Sequence, residues 1–276
     1  MISTDDDLRL HPHHWPASRP ETARGQVLIV HGLGEHGGRY APVASALNAA
    51  GWHVHGWDHR GHGRSDGPRG DIPDHDALLR DTARVIDAIR TPGRRFVLLG
   101  HSLGGAIAAR FAAESLAAAP ASWARPLDGL ALSSPALDAG LGSAQKLALA
   151  VAEKLTPGLA VGNGLKPGWI CRDADVVAAY TADPLVHDRI TARLTRFILD
   201  AGARVIADAP RWQVPTLLMW AGADRCVAPR GSEAFAAAAP ANVVATRPWP
   251  ALFHEIFNEP ERAEVLPVLT AWLNRR

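Results

Sequence analysis

Hydrophobic and polar positions along the chain alternate between two periods. Five short runs are apolar on both faces: Gln26–Val30, Trp52–Trp57, Arg95–Gly100, Leu127–Ser134 and Pro215–Trp220. Runs of this length, rich in Val, Leu and Ile, read as strands buried from both sides. Between and after them, apolar residues recur at helical spacing over about Tyr40–Ala50, His75–Arg90, Gly104–Ala118, Gly231–Ala239 and Pro260–Asn274. The alternation predicts an α/β fold: a mostly parallel sheet covered by helices on both faces, with ligands bound beyond the carboxyl ends of the strands. One stretch breaks the pattern. Between Pro135 and Trp212 no strand signal occurs, only helical pieces such as SAQKLALAVAEKL and HDRITARLTRFILDAG around a Pro/Gly-rich TPGLAVGNGLKPG. The expected organisation is a core of residues 1–135 and 213–276, with 136–212 inserted as a mainly helical cap over the site.

The chemistry gathers where predicted strands end. Gly100–His101–Ser102–Leu103–Gly104 fits G-x-S-x-G, with an apolar strand before it and the small-residue helix GGAIAARFAAESL after it. Flanking glycines permit a strained turn that exposes the serine hydroxyl, and the following helix N-terminus favours developing negative charge. Serine is a weak nucleophile without a base, and on such a sheet the acid and then the base follow it in the chain. Asp224 stands just past the strand in LLMWAGADRCVAP, and His254 lies in a loop before the last helix in WPALFHEIFNEPER. Asp200 and Asp208 compete as acid and His187 as base, but their surroundings read as helix, linker or insertion. The turn His31–Gly32–Leu33–Gly34–Glu35–His36 can aim the Leu33 N–H toward Ser102, where with the Leu103 N–H it would hold an oxyanion. His101 flanks the nucleophile and is expected to pack near that turn.

Composition narrows the field further. A net charge of +1 gives no electrostatic footprint for nucleic acid. Cys171 and Cys226 have no metal-type spacing and read as free thiols in a reducing compartment. The acidic start MISTDDDLRLHPHHWP is not a secretory or transit signal, and no apolar run reaches the roughly 18 residues of a membrane span. A cytoplasmic location is the expectation. The densest histidine cluster (His53, His55, His59, His62) lacks metal-ligand spacing, so no metal is expected; Asp58 and Arg60 read as internal partners in a hydrogen-bonded turn below the site.

HGLGEHGGRY, DHRGHGRSDGPRG and GHSLGG resemble the hallmarks of the monoacylglycerol lipase and lysophospholipase branch of the α/β-hydrolases. The likeness runs from about Gly25 to the C-terminus, and YTADPLVH resembles a segment of that branch's cap. The resemblance implies an α/β-hydrolase fold, Ser102 as nucleophile, Asp224 as acid, His254 as base, and Leu33 and Leu103 as oxyanion donors. It further implies that Glu35 and Arg39 steady the oxyanion turn and that no cofactor is needed. The implied activity is hydrolysis of a small lipid or ester substrate: monoacylglycerol first, with lysophospholipids or short- and medium-chain esters as alternatives. The apolar cap residues Leu147, Val151, Leu159 and Val161 are expected to line an acyl channel or to rest peripherally on a lipid surface. A non-catalytic binding protein on the same fold is the reading from another class, and the full set of triad and oxyanion candidates argues against it.

Overall fold

Side chains alternate across each strand, so a strand apolar at every position needs a core on both faces. The computed structural model describes residues 2–275. Strands β1 (Pro12–Trp15), β2 (Gly25–Val30), β3 (Trp52–Trp57), β4 (Arg95–His101), β5 (Gly129–Ser133), β6 (Thr216–Ala221) and β7 (Val244–Trp249) form one sheet in the order β7-β6-β5-β4-β2-β3-β1. All neighbours run parallel except β1, which is antiparallel to β3. The helices are α1 (Ala41–Ala49), α2 (Ala77–Ile89), α3 (Leu103–Ala113), α4 (Ser143–Leu155), α5 (Ala174–Ala182), α6 (Ala192–Asp208), α7 (Pro229–Ala238) and α8 (Arg262–Leu273). Leu28, Leu98, Leu130 and Leu218 point to one face, where they pack with α2, α3, α6 and α7. Val27, Val97, Ala131 and Leu217 point to the other and meet α1 and α8. Each large side chain buried this way is worth about 1.5–3 kcal/mol, so the two layers hold the sheet more firmly than helix propensity does.

β3 and β4 lie on opposite sides of β2, so the strand order reverses there. The loops leaving the carboxyl ends of β2 and β4 therefore flank an open crevice, the usual ligand position in such sheets. All five strands read from the apolar runs are present. The two edge strands give no such signal. β7 buries only its end residues and carries Pro248, and β1 begins at Pro12 and is at best half-buried. An edge strand has one unpaired side, which tolerates proline and polar residues.

Residues 136–212 divide into two parts by their packing. Helix α6 belongs to the body: Leu194, Phe197, Ile198, Ala201 and Val205 join the core beside α3. Its Gly202 passes so close to the Leu137 carbonyl that a Cβ there would overlap it. Only the chain before α6 stands over the sheet's carboxyl edge, as α4, α5 and a short antiparallel pairing of Val161–Gly162 with Arg189–Ile190. Backbone bonds tie it down. His187 N–H donates to the Gly34 carbonyl (2.8 Å), Thr191 N–H to that of Gly70 (3.0 Å), and Glu255 N–H to that of Ile170 (2.8 Å).

Candidate active site

Ser102 sits between β4 and α3 with φ 53° and ψ −121°, backbone that a side chain rarely adopts. The surroundings over-determine that turn. A Cβ on Gly104 would fall on the Val30 carbonyl, one on Gly100 on the Gly104 carbonyl, and one on Gly105 2.7 Å from Pro135 Cα. Ser102 N–H donates to the Ser133 carbonyl (3.1 Å), while its own carbonyl accepts from Ala106 N–H (3.1 Å) and Ala136 N–H (2.9 Å). The glycines thus bring α3 directly against β2 and β5, and the backbone has no room to relax. Among the described residues the Ser102 hydroxyl has no hydrogen-bond partner; it faces a cavity of about 330 Å³ that His254 also lines.

The turn after β2 stands against the serine, with the position of a Gly32 Cβ only 3.2 Å from Ser102 Cβ. Glu35 braces it from below, accepting from Gly32 N–H (2.6 Å) and Tyr40 O–H (2.6 Å). Arg39 donates to Glu35 (2.5 Å) and to both carboxylate oxygens of Glu255 (2.6 and 2.8 Å), the residue after His254. The other face of the Arg39 guanidinium lies 4.7 Å from the centre of the Tyr180 ring on α5. One buried guanidinium therefore joins the β2 turn, the His254 loop and the inserted segment. Burial opposes charge on Glu35 most strongly, but Arg39, His101 and the hydrogen bonds from Tyr40 and Gly32 together overcome it and hold the carboxyl below its usual range. The N–H groups of Leu33 and Leu103 donate to no protein acceptor among the described residues. That of Leu103 opens α3, where the helix itself offers it no partner.

Asp224 and His254 hold each other in a buried pair. His254 Nδ1 is 2.7 Å from Asp224 Oδ2, and Asp224 Oδ1 accepts from Cys226 N–H (2.8 Å) and Val227 N–H (3.1 Å). With the proton of His254 on Nδ1, its Nε2 lone pair is the one left for chemistry. Burial alone would raise the Asp224 carboxyl, but His254 and the two amides overcome it and keep it below the usual range. Burial likewise disfavours the His254 imidazolium, and Asp224, helped by Glu255 and Glu35, reverses this and raises it above the ordinary histidine value. Neighbouring His101 behaves oppositely. Its ring centre is 4.6 Å from that of His254, Nδ1 is bonded to the Ser133 carbonyl (3.0 Å), and burial followed by repulsion from His254 lowers it to about 4. A neutral spacer thus lies beside a ring tuned to accept a proton. Asp200 is exposed on α6, and Asp208 binds Arg204 and Arg211 there, so neither reaches His254. His187 lines the cavity, but its Nδ1 accepts from Arg189 N–H (3.1 Å) and its ring packs at a tilt against His62 (4.6 Å between centres).

The family model described as Hydrolase_4 (serine aminopeptidase, S33) matches residues 21–261. The monoacylglycerol lipase of Mycolicibacterium smegmatis is 37% identical over 268 residues, covering 92% of this chain and 90% of that protein. The chain belongs to the monoacylglycerol lipase branch of the α/β-hydrolases. It is a hydrolase of the carboxylic-ester class. Phospholipase YtpA of Bacillus subtilis is 31% identical, with 95% of this chain and 98% of that one aligned. The crystal structure of a Paleococcus ferrophilus monoacylglycerol lipase superposes with a TM-score of 0.84 at 33% identity, over 96% of this chain and 98% of that one.

Of the two places expected for the apolar cap residues, the acyl channel is not the one they occupy. Leu147, Val151, Leu159 and Val161 do not line the cavity; they are 69%, 49%, 60% and 51% exposed. α4 turns only Leu149 inward, so the apolar stripe on its other side faces away from the sheet. The inserted segment instead offers the cavity Asn163, Leu165, Tyr180 and His187. A second arm of about 150 Å³ opens at Ser102 and Leu33 and runs between Leu103, Ala136, Leu141, Ile198 and Val227. Glu255, Tyr40 and Cys226 also belong to the site unannounced. The acidic residue directly after His254 is the one sequence signal that could have pointed to Glu255. The histidine-rich loop does form a hydrogen-bonded base: His59 N–H donates to His31 Nε2 (2.9 Å), and Arg60 pairs with Asp81 (2.6 Å). Burial lowers His59 to about 4. Among the described residues no helix is long and apolar enough to cross a membrane.

Proposed function

We propose that the chain is a serine hydrolase that releases a fatty acid from monoacylglycerol, with Ser102 as nucleophile, His254 as base and Asp224 as its acid. One observation carries the reading: a hydroxyl on a strained turn shares a cavity with a histidine whose other nitrogen is bonded to a buried aspartate. In the first step His254 Nε2 takes the Ser102 proton as Oγ attacks the ester carbonyl, and Asp224 stabilises the imidazolium. The carbonyl oxygen, now negative, turns to the Leu33 and Leu103 N–H groups, which have no other acceptor among the described residues; each such donor is worth roughly 10²–10³ in turnover. His254 returns the proton to the leaving glycerol oxygen as the ester C–O bond breaks. A water then loses its proton to His254, attacks the acyl-enzyme and restores Ser102.

The two arms of the cavity suit the two halves of such a substrate. The apolar arm along Ile198 and Val227 takes the acyl chain, and the polar chamber takes the glycerol. The segment ahead of α6 serves as the cap, and its exposed Leu147, Val151 and Leu155 rest on the lipid surface from which substrate is drawn. The free thiols fit a cytoplasmic setting. Fluorophosphonate labelling tests the site: wild type should be tagged at Ser102 and Ser102→Ala not at all. Initial rates on a chain-length series of monoacylglycerols and matching lysophospholipids test the substrate. Equal or faster turnover of the lysophospholipids would overturn the glycerol assignment and leave the triad standing.

A further inference from the structure

The antiparallel edge of the sheet, remote from the serine turn in sequence, carries a histidine pair that the reaction does not use. His13 Nε2 lies 2.7 Å from Asp58 Oδ1, and His11 adds a ring nitrogen, so that the three donor atoms all fall within 4.8 Å of one another. We propose that His11, His13 and Asp58 form a binding site for a divalent transition cation of the Zn²⁺ type.

The donor set is two imidazoles and one carboxylate, a combination that suits zinc and its neighbours and is unsuited to magnesium or calcium. Its parts are fixed from different elements. Asp58 leaves the end of β3 fully buried, with Oδ1 accepting from Gly37 N–H (2.9 Å) and Oδ2 from Arg64 N–H (2.8 Å). Such bonds to the outer side of a carboxylate orient it as a ligand. His13 stacks on Trp15 (5.5 Å between ring centres, 8° between planes) and packs on Gly37, where a Cβ would come within 2.6 Å of its Cδ2. The backbone N–H of His11 donates to Ser65 Oγ (2.8 Å), while its ring forms no hydrogen bond among the described residues. Both histidines are partly exposed, which gives an ion an entry path and room for water as a further ligand.

Ligands at about 2.0–2.2 Å around a tetrahedral ion stand about 3.3–3.6 Å apart. The His13–Asp58 pair would open slightly and the His11 ring would swing inward by a side-chain rotation. The ion replaces the His13 Nε2 proton, which returns to Nδ1 of a neutral ring or leaves to solvent from a cationic one. Bound there, it would bind the segment before β2 to Asp58, and through Gly37 to the turn that carries Leu33.

The test uses the full chain stripped with chelator, titrated with Zn²⁺ against a chromophoric chelator, alongside thermal melts in Zn²⁺ or Mg²⁺. Wild type should take up one equivalent and melt a few degrees higher in Zn²⁺ but not in Mg²⁺. His11→Gln leaves the His13–Asp58 bond in place and should weaken binding by at least about tenfold and abolish the melting shift. Asp224, Cys226 and His254 also bring three donors within 4.8 Å, so Cys226→Ser is run in parallel. An equivalent that persists in Cys226→Ser and is lost in His11→Gln supports the assignment. No uptake by wild type, equal uptake by His11→Gln, or loss in Cys226→Ser overturns it.

Discussion

The serine turn and helix α4 are both built from small and apolar residues, yet they are constrained in opposite ways. Around Ser102, Gly100, Gly104 and Gly105 each have backbone of another element where a side chain would begin. In α4 a single residue, Leu149, is buried, while Leu147 and Leu155 are 69% and 76% exposed. The turn answers to contacts within the chain, so its composition dictates its geometry. The outer face of the helix has few contacts within the described residues, so its composition says little about where the helix lies, and under the proposed docking it answers to lipid outside the chain. Substitutions should separate the two regions sharply.

The largest effect is expected at the turn's side chain. Ser102→Ala should lower kcat/KM on monoacylglycerol by about 10⁴-fold or more while leaving circular dichroism and Tm near wild type. A variant retaining a tenth of the activity would remove Ser102 from the mechanism. Next comes the turn's backbone. Gly104→Ala puts a methyl on the Val30 carbonyl and should cost about 3 kcal/mol, seen as a lower denaturation midpoint or lost soluble yield. Leu147→Ala on α4, which removes nothing from the interior, should leave the midpoint unchanged within error. Equal destabilisation by the two would erase the contrast.

A smaller, more diagnostic effect concerns pH. In the proposed mechanism His254 must be neutral to accept the Ser102 proton, and Asp224, with Glu255 and Glu35, overcomes burial and raises it above the usual histidine value of about 6.5. The kcat/KM profile should therefore fall on the acid side with its inflection above that value. The sign for stability follows from linkage. The raised base stabilises the fold fully below about 6.5, and that contribution is lost as pH rises through the folded-state value. In Asp224→Asn the anion is gone while burial remains, so residual activity should show its acid limb at lower pH than wild type. An unmoved limb would mean that another group sets it.

The same division explains what was legible in the sequence. The inner strands show themselves because each residue is buried on one face or the other, whereas β7 exposes four of its six residues and leaves no apolar run to read. Ser102 stands out because close approach dictates glycine at fixed spacing around it. Asp224 and His254 can be picked out by position, each in a loop that follows an element with a strong pattern. The Arg39–Glu255 bond spans 216 residues and is set by tertiary packing alone, which no local pattern encodes. The inserted segment is hard to read for a related reason. Its apolar residues follow helical spacing, but spacing cannot say which side meets the protein, and α6 looks like its continuation until Gly202 is seen against Leu137.

The smallest expected effect tests the outside half of the comparison. If the α4 face meets lipid, its contribution scales with the apolar area that leaves water, about 25 cal/mol per Å². Two exposed aliphatic side chains then account for a few-fold change in partitioning, and none of the chemistry. The double variant Leu147→Ser, Val151→Ser should lower the rate on monoacylglycerol presented in vesicles several-fold relative to the rate on a dissolved p-nitrophenyl ester. The ratio of the two rates is the quantity to read, because a defect in the triad lowers both together. Flotation with vesicles should show the same loss of binding in a Ser102→Ala background, where no product accumulates to alter the membrane. If the ratio stays at its wild-type value, α4 does not dock on lipid and its apolar face awaits a protein partner instead.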